Sequence, residues 1–268
     1  MTTIIDFHTH VFPDDLAPKA IAKLIADAPD GKNYTDGTIN GLLHSMRNNR
    51  ITRSVTMPIA TRKEQVSTIN SFQKSTNIPP IIAFGALHPA KENVEETVTA
   101  LVRDNIRGVK LHPEYQNFYM DDPICFPLYE AMSNAGLILL FHAGKDPGPF
   151  TCDHALPSAF LTIRNNFPNL IMVAAHMGGW KLWRESFDNL CGKSLYFDTS
   201  AIYGLIDKDL FLQMVKKHGT ERILFGSDSP WIDQGVAWRW IDGLPFSDRE
   251  KENIFSRNAL SLLGSDFT

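Results

Sequence analysis

Histidine and aspartate side chains that can bind a metal occur at the ends of several apolar segments of this 268-residue chain. His8 and His10 end the first segment, and His142, His176 and Asp228 each end a later one. Imidazole and carboxylate groups together are ligands that suit zinc, iron, manganese or cobalt. A polar group at a strand end must be hydrated, hydrogen-bonded or ligated. The repeated occurrence of ligand-type residues at this position therefore predicts a metal centre.

The spacing of these residues indicates which of them share a face. Side chains along a strand alternate between two faces, so residues two apart point the same way. His8 and His10 are therefore predicted to lie on one face, where both imidazoles can reach one ion. Lys110 and His112 have the same spacing at the end of another apolar segment and are also predicted to share a face.

Eight short apolar segments alternate with polar stretches of helical character. They are residues 4–7, 54–59, 81–87, 108–111, 137–141, 170–175, 194–197 and 223–225. Such near-continuous apolar segments are typical of parallel strands that are covered on both faces. From residue 54 onward they begin every 24 to 33 residues, which is the length of one βα unit. This pattern predicts a (β/α)₈ (TIM) barrel, formed as a single domain over residues 1–268.

Helices are predicted between these segments, over residues 94–103, 122–132, 210–215 and 249–263. An open, doubly wound sheet is the competing fold, but no Gly-x-Gly-x-x-Gly motif follows the first strand. The first interval between strands is longer than the others. Residues 11–36 are therefore predicted to be an insertion after strand 1, which would lie at the catalytic end of the barrel and could cover it.

The chain resembles the amidohydrolase superfamily, and within it the amidohydrolase-related group that includes the aminocarboxymuconate semialdehyde decarboxylase-like enzymes. Four motifs carry the resemblance and span nearly the whole chain. They are Asp-Phe-His-Thr-His at 6–10, Phe-His-Ala-Gly at 141–144, His-Met-Gly-Gly at 176–179 and Gly-Ser-Asp-Ser-Pro at 226–230.

The resemblance implies a catalytic divalent metal, with one zinc ion as the expectation, bound by His8, His10, His142 and Asp228. A bound metal lowers the pKa of a coordinated water toward ~7. Asp228 would take a proton from that water and pass it to the leaving group. His176 would be either a further ligand or an acid/base that hydrogen-bonds to the substrate oxygen as charge develops there.

Lys110 has three interpretations. In some superfamily members a lysine at the end of strand 4 is carboxylated and bridges two metals, which would add a second ion here. A charged Lys110 could instead bind a substrate carboxylate, or pair with Asp6 inside the barrel. We expect Lys110 and His112 to contact the substrate, which is therefore expected to be a small anionic molecule.

The leading functional prediction is metal-dependent hydrolysis of a C–O or C–N bond in a small carboxylated molecule. The alternative is non-oxidative decarboxylation or hydration of an unsaturated or aromatic carboxylic acid. A phosphoesterase of the polymerase-and-histidinol-phosphatase type is disfavoured, because that group requires an Asp-x-His motif whereas Ser229 and Pro230 follow Asp228. A barrel that binds a metal or ligand without catalysis is a further alternative.

Composition narrows the classes of partner. The formal net charge is −4, which disfavours a nucleic-acid surface. No apolar run approaches the ~18 residues of a membrane span, and no signal peptide is recognised before His8. The three cysteines, which lack Cys-x-x-Cys spacing, fit a reducing compartment. The protein is therefore predicted to be cytoplasmic, with a small-molecule substrate and, from base rates, a homodimeric state.

Overall fold

The computed structural model describes residues 3–28, 31–90 and 93–264. Its strands within this part of the chain are, in order, Ile5–Thr9 (β1), Arg53–Thr56 (β2), Ile81–Ala83 (β3), Gly85–Ala86 (β4), Gly108–Leu111 (β5), Ile138–Phe141 (β6), Ile171–Ala174 (β7), Tyr196–Asp198 (β8) and Ile223–Leu224 (β9). Strands β1 to β3 pair in sequence order, and so do β4 to β9. Every pair is parallel.

The two groups of strands close into one barrel. Only Phe84 separates β3 from β4, and its N–H donates to Thr56 O, so β3 and β4 are successive parts of one strand position. At the other edge, Phe7 N–H donates to Phe225 O at 2.7 Å. Asp228 N–H donates to His8 O at 2.9 Å. The predicted TIM barrel is confirmed, and this closure excludes the open, doubly wound sheet.

Apolar side chains form the interior of the barrel and a larger shell between strands and helices. Ile5, Phe7, Phe84 and Leu140 belong to one buried cluster formed largely by alternating strand positions. The intervening strand positions, such as Leu139, belong to a second cluster that also contains helical residues. Burial of both strand faces explains why the strands read as continuous apolar segments in the sequence.

The helices surround the strands. They are Ala17–Asp27, Ile39–Asn48, Val66–Thr76, Val94–Arg103, Pro113–Gln116, Phe126–Ala135, Ala159–Asn166, Trp183–Asn189, Lys208–His218, Gln234–Asp242, Asp248–Glu252 and Asn258–Leu263, with 3₁₀ turns at Lys63–Gln65, Pro123–Cys125 and Thr220–Arg222. Within the described residues, no helix is both long enough and apolar enough to cross a bilayer.

Predicted and observed helices agree in place and differ in detail. Val94–Arg103 matches its prediction. The helix predicted to begin after Asp122 opens as a 3₁₀ turn, and the Asp122 side chain accepts from Ile124 N–H at 2.9 Å. The segment predicted to be helical over residues 249–263 is helical throughout, and Asn253–Arg257 forms a π-helical turn within it.

The segment inserted after β1 reaches the end of the barrel at which Asp228 lies. Its helix is Ala17–Asp27, and Phe12 N–H donates to Gly37 O at 2.8 Å. Tyr34 N–H donates to Pro230 O at 2.7 Å, two residues after Asp228. The insertion is thus attached beside the last strand, and its role as a cover stays a prediction.

Candidate metal centre

The ends of the first and last strands bring three ligand-type atoms together. His10 Nε2 lies 3.1 Å from Asp228 Oδ1, and His8 Nε2 lies 3.5 Å from the same oxygen. The ligand atoms of the three residues all lie within 4.8 Å of one another. Asp228 holds a left-handed backbone conformation, with φ of 73°. A non-glycine residue in this region is a form of strain that occurs preferentially at functional sites.

The hydrogen bonds behind these rings assign their tautomers. His8 Nδ1 lies 2.8 Å from Asp198 Oδ2, and His10 Nδ1 lies 2.8 Å from Met57 O. Because both partners are acceptors, each Nδ1 carries the proton and each Nε2 is left with a lone pair. Two lone pairs and one carboxylate oxygen therefore converge without a proton between them. A divalent cation fits this donor set, and the outer hydrogen bonds are those that orient ligating histidines.

His142 and His176 repeat this arrangement nearby. His142 Nε2–H donates to Lys145 O at 2.9 Å, and His176 Nδ1–H donates to Ser200 O at 2.9 Å. The opposite nitrogens, His142 Nδ1 and His176 Nε2, lie 3.1 Å apart, and both are unprotonated by the same reasoning. His176 also stacks on His8, with 5.3 Å between ring centroids.

Lys110 and His112 contact different members of this group of histidines. Lys110 Nζ is 3.2 Å from His8 Nε2, which places a buried amine beside the convergent acceptors. The His112 ring stacks on His142, with 4.1 Å between centroids and 13° between ring planes. Its Nε2 is 3.3 Å from Asp146 Oδ2. Its Nδ1 is 3.6 Å from Glu114 Oε2, and both of these buried atoms lack a hydrogen bond.

A second group of ligand-type atoms consists of His112, His142 and Asp146, again within 4.8 Å of one another. His142 Nε2 lies 3.9 Å from Asp146 Oδ2 but donates its proton to Lys145 O. We therefore interpret this group as polar side chains that lie beside the candidate metal centre, and we assign the His142 lone pair to Nδ1. Sequence reasoning did not predict the contact of Asp146 with His112. The available signal was its position four residues after His142.

Burial sets the charge of the ligand candidates. It lowers the pKa of His8 to about 4, and it places the pKa values of His112 and His142 well below the usual range. These rings are therefore neutral at pH 7, as metal ligands must be. Burial alone would raise the pKa of Asp228, but the surrounding imidazoles of His10, His8 and His176 bring it below its ordinary value. Burial also lowers the pKa of Lys110 to about 8.

One of the three interpretations of Lys110 is wrong. Asp6 accepts from Ser227 N–H at 2.9 Å and from Gln234 Nε2 at 2.8 Å. The pairing of β1 with β2 shifts in register between Asp6 and Thr9, so simple alternation does not hold along β1. Asp6 thus faces the helix Gln234–Asp242, and the predicted ion pair with Lys110 is not formed.

All the predicted site residues lie at the carboxyl ends of strands and are connected by contacts. His8 links to Lys110, His10 to Asp228, and His142 to His176 and His112. Ser200 was not predicted, although its hydroxyl oxygen lies 2.9 Å from His8 Nδ1 and 2.8 Å from His176 Nδ1. Only its position two residues after Asp198, at the end of a strand, could have indicated this role.

The family model for Amidohydrolase matches residues 5–265. The chain belongs to the amidohydrolase family. It is thus an enzyme of the amidohydrolase superfamily, whose members bind a divalent metal, and the convergent His and Asp residues provide ligands of the required kind.

A curated relative of this amidohydrolase is the 2-amino-3-carboxymuconate-6-semialdehyde decarboxylase of Dictyostelium discoideum. The two are 23% identical over 227 residues, which are 72% of this chain and 63% of the relative. The match therefore spans less than two thirds of the relative's length.

Solved structures share the barrel over nearly the whole chain. The 5-carboxyvanillate decarboxylase of Sphingomonas paucimobilis aligns with a TM-score of 0.72 and 15% identity, covering 98% of this chain and 99% of that one. The dihydroxybenzoic acid decarboxylase of Polaromonas sp. JS666, solved with manganese and the inhibitor 2-nitroresorcinol, aligns with a TM-score of 0.74 and 16% identity. Coverage there is 98% of this chain and 97% of that one. At these identities the likeness concerns the fold.

Proposed function

We propose that this amidohydrolase is a metal-dependent, non-oxidative decarboxylase of a small unsaturated or aromatic carboxylic acid. The observation that carries the proposal is the convergence of unprotonated imidazole nitrogens and the Asp228 carboxylate beside the buried amine of Lys110. The relatives named above support decarboxylation, the alternative of the sequence analysis, better than its leading prediction of hydrolysis.

In this proposal His8, His10 and Asp228 hold the metal, with His142 and His176 as the further nitrogen ligands. When bound, the divalent ion supplies a positive charge that attracts the substrate's oxygens and stabilises negative charge near them. Zinc is the first ion to test, and manganese is the second because the Polaromonas decarboxylase was solved with it.

Lys110 and His112 orient the acid in the proposed complex. At pH 7 Lys110 carries a positive charge, because its pKa of about 8 still lies above that pH. A buried ammonium attracts a carboxylate more strongly than a solvated one does. His112 is neutral and offers a hydrogen bond beside His142, on which its ring stacks. These two side chains therefore favour a small anion with a second polar group.

Decarboxylation breaks the bond between the substrate carbon and its carboxylate and leaves an electron pair on that carbon. One proton must then be added to the carbon as carbon dioxide departs. Asp228 is a carboxylate, so it can take a proton from a substrate hydroxyl or from water and return it to the carbon.

The test is an assay of the metal-depleted protein reloaded with zinc or manganese. Dihydroxybenzoates and unsaturated dicarboxylates would be supplied in D₂O, with carbon dioxide and the deuterated product measured. We expect metal-dependent carbon dioxide release and one deuterium at the vacated carbon. His10→Ala should abolish it, whereas His44→Ala, on an exposed face of the helix Ile39–Asn48, should not.

A parallel panel of lactones and amides separates the two reactions. Cleavage of these compounds without carbon dioxide release from any acid would overturn the decarboxylase and restore hydrolysis. Absence of metal uptake by the unmodified protein would remove the basis of both reactions.

A further inference from the structure

Asp198, at the end of β8, lies behind the candidate ligands and is fully buried. Both of its carboxylate oxygens are used. Oδ2 accepts from His8 Nδ1–H at 2.8 Å. Oδ1 accepts from His176 N–H at 2.9 Å, from Ser200 N–H at 3.0 Å and from the Ser200 hydroxyl. One carboxylate therefore contacts two ligand candidates that come from different strands.

Ser200 completes this arrangement. Its carbonyl oxygen accepts from His176 Nδ1–H at 2.9 Å, and its hydroxyl oxygen lies between His176 Nδ1 and His8 Nδ1. We call Asp198 and Ser200 the β8 corner. All the ring contacts of the β8 corner are made at Nδ1, so both Nε2 atoms are left to face the metal centre.

The backbone of His176 also depends on this corner. His176 and Met177 both have left-handed conformations, with φ of 57°. This region is unfavourable for residues other than glycine and persists only where surrounding contacts hold it. The bond from His176 N–H to Asp198 Oδ1 is such a contact, because it fixes the backbone from which the ring projects.

We propose that Asp198 is a positioning residue that sets the tautomer of the His8 ring and fixes the backbone from which the His176 ring projects. The proposal rests on the metal centre proposed above, for which Asp198 would be the shared outer partner of two ligands. Loss of one such partner typically lowers metal affinity ~10- to 100-fold. Asp198 itself is not a catalytic residue, since its oxygens are occupied by the donors just described.

The decisive variant is Asp198→Asn, which keeps the size of the side chain and replaces one acceptor with an N–H₂ donor. If the amide nitrogen faces His8 Nδ1, the ring must move its proton to Nε2 and lose the lone pair that faces the metal centre. If the amide nitrogen faces the other way, it meets three donors from His176 and Ser200. Either orientation disturbs one of the two ligands.

The measurement combines two readouts on the full chain. Long-range ¹H–¹⁵N NMR on the metal-depleted protein assigns the imidazole tautomers, and competition with a chromophoric chelator gives the zinc affinity. We expect Nδ1–H tautomers for His8 and His176 in the unmodified protein. In Asp198→Asn we expect loss of that tautomer at His8, the ring that Asp198 contacts, and a Kd for zinc raised ~10- to 100-fold.

Asp6→Asn is the matched control, because Asp6 is an equally buried carboxylate whose partners are Ser227, Gln234 and the backbone of His8. We expect it to keep both tautomers and to change zinc affinity far less. If Asp198→Asn does not fold, Ser200→Ala is the second variant. It removes the hydroxyl shared by both rings, and we expect a few-fold weaker affinity for zinc.

The outcomes separate this inference from the proposed function. Wild-type tautomers and affinity in Asp198→Asn, or unchanged affinity in Ser200→Ala, would overturn the role of the β8 corner. If the unmodified protein binds no zinc or manganese, the proposed function fails. The NMR comparison in the metal-depleted protein would still decide whether Asp198 sets the tautomer of His8.

Discussion

His142 Nδ1 lies 3.1 Å from His176 Nε2, and both nitrogens are left with lone pairs because the opposite nitrogen of each ring donates to a carbonyl. Two acceptors at this separation repel each other unless a proton or a cation lies between or beside them. The folded chain therefore holds these two rings in an arrangement that gains stability from a positive charge.

This arrangement predicts that metal stabilises the protein through His142 and His176. At a free metal concentration 100-fold above Kd, binding to the folded state alone should raise the free energy of unfolding by about 2.7 kcal/mol. The increment should shrink in His142→Ala and in His176→Ala but persist in His44→Ala. Urea denaturation with and without zinc measures it. Equal increments in all four proteins would contradict the assignment of these two rings as ligands.

Replacement of Lys110 tests its proposed role in substrate binding. Lys110→Met keeps much of the buried volume and removes the charge, so a substrate carboxylate loses its nearest cation. We expect KM to rise at least ~10-fold, since a charge-assisted contact contributes about 1.5–3 kcal/mol. Metal content, measured by elemental analysis, should be unchanged. A drop from two ions to one in the variant would instead indicate the bridging, carboxylated lysine.

His218 predicts acid sensitivity away from the metal centre. It ends the helix Lys208–His218, where a cation would interact favourably with the helix dipole, but burial and the nearby Arg222 lower its pKa to about 4. The neutral ring accepts from Gly192 N–H and donates to Leu195 O. The folded state thus excludes the proton that the unfolded chain binds below pH 6.5.

Its contribution to stability is therefore present above about pH 6.5 and is lost as the pH falls toward 4, by about 3 kcal/mol. His218→Gln can accept and donate to the same two backbone groups without titrating. Unfolding free energies from pH 7 to pH 4 should fall more steeply in the unmodified protein than in the variant. Parallel curves would show that His218 does not carry this sensitivity.

Gly144 predicts a site where a single methyl group disturbs the catalytic end. Its φ is 88°, and a Cβ there would lie 2.2 Å from Trp180 N. Gly136 is the matched control, since its φ is 64° and a Cβ would meet nothing within 4 Å. We expect Gly136→Ala to cost roughly 1 kcal/mol and Gly144→Ala roughly 3 kcal/mol or more. Similar urea midpoints for the two variants would contradict the close approach.

The barrel could be predicted from the sequence because its strands are buried on both faces and recur at the length of a βα unit. The approximate position of the site could also be predicted, since ligand-type residues follow several strands at the same end of the barrel. These features depend on local patterns of apolar residues and on chain length. They require no knowledge of how distant segments meet.

Contacts that form only when the barrel closes could not be predicted from these local patterns. One interpretation of Lys110 paired it with Asp6 inside the barrel, whereas β1 shifts in register before Thr9 and Asp6 contacts Gln234. Similarly, His142 has its lone pair on Nδ1 because its Nε2–H donates to the Lys145 carbonyl. The turn at Gly144 brings that carbonyl back toward the ring. Such details arise from backbone geometry that residue types and spacing do not specify.

The hydrogen bonds that join β1 to the end of β9 have a consequence for biosynthesis. His8 and His10 leave the ribosome well before Asp228, which is the last of the ligand candidates along the chain. His8 O accepts from Asp228 N–H, and Ser229 O accepts from His10 N–H. A nascent chain therefore presents the histidine pair long before its carboxylate partner exists. Full metal affinity should appear only when the final strand is released and completes the ring.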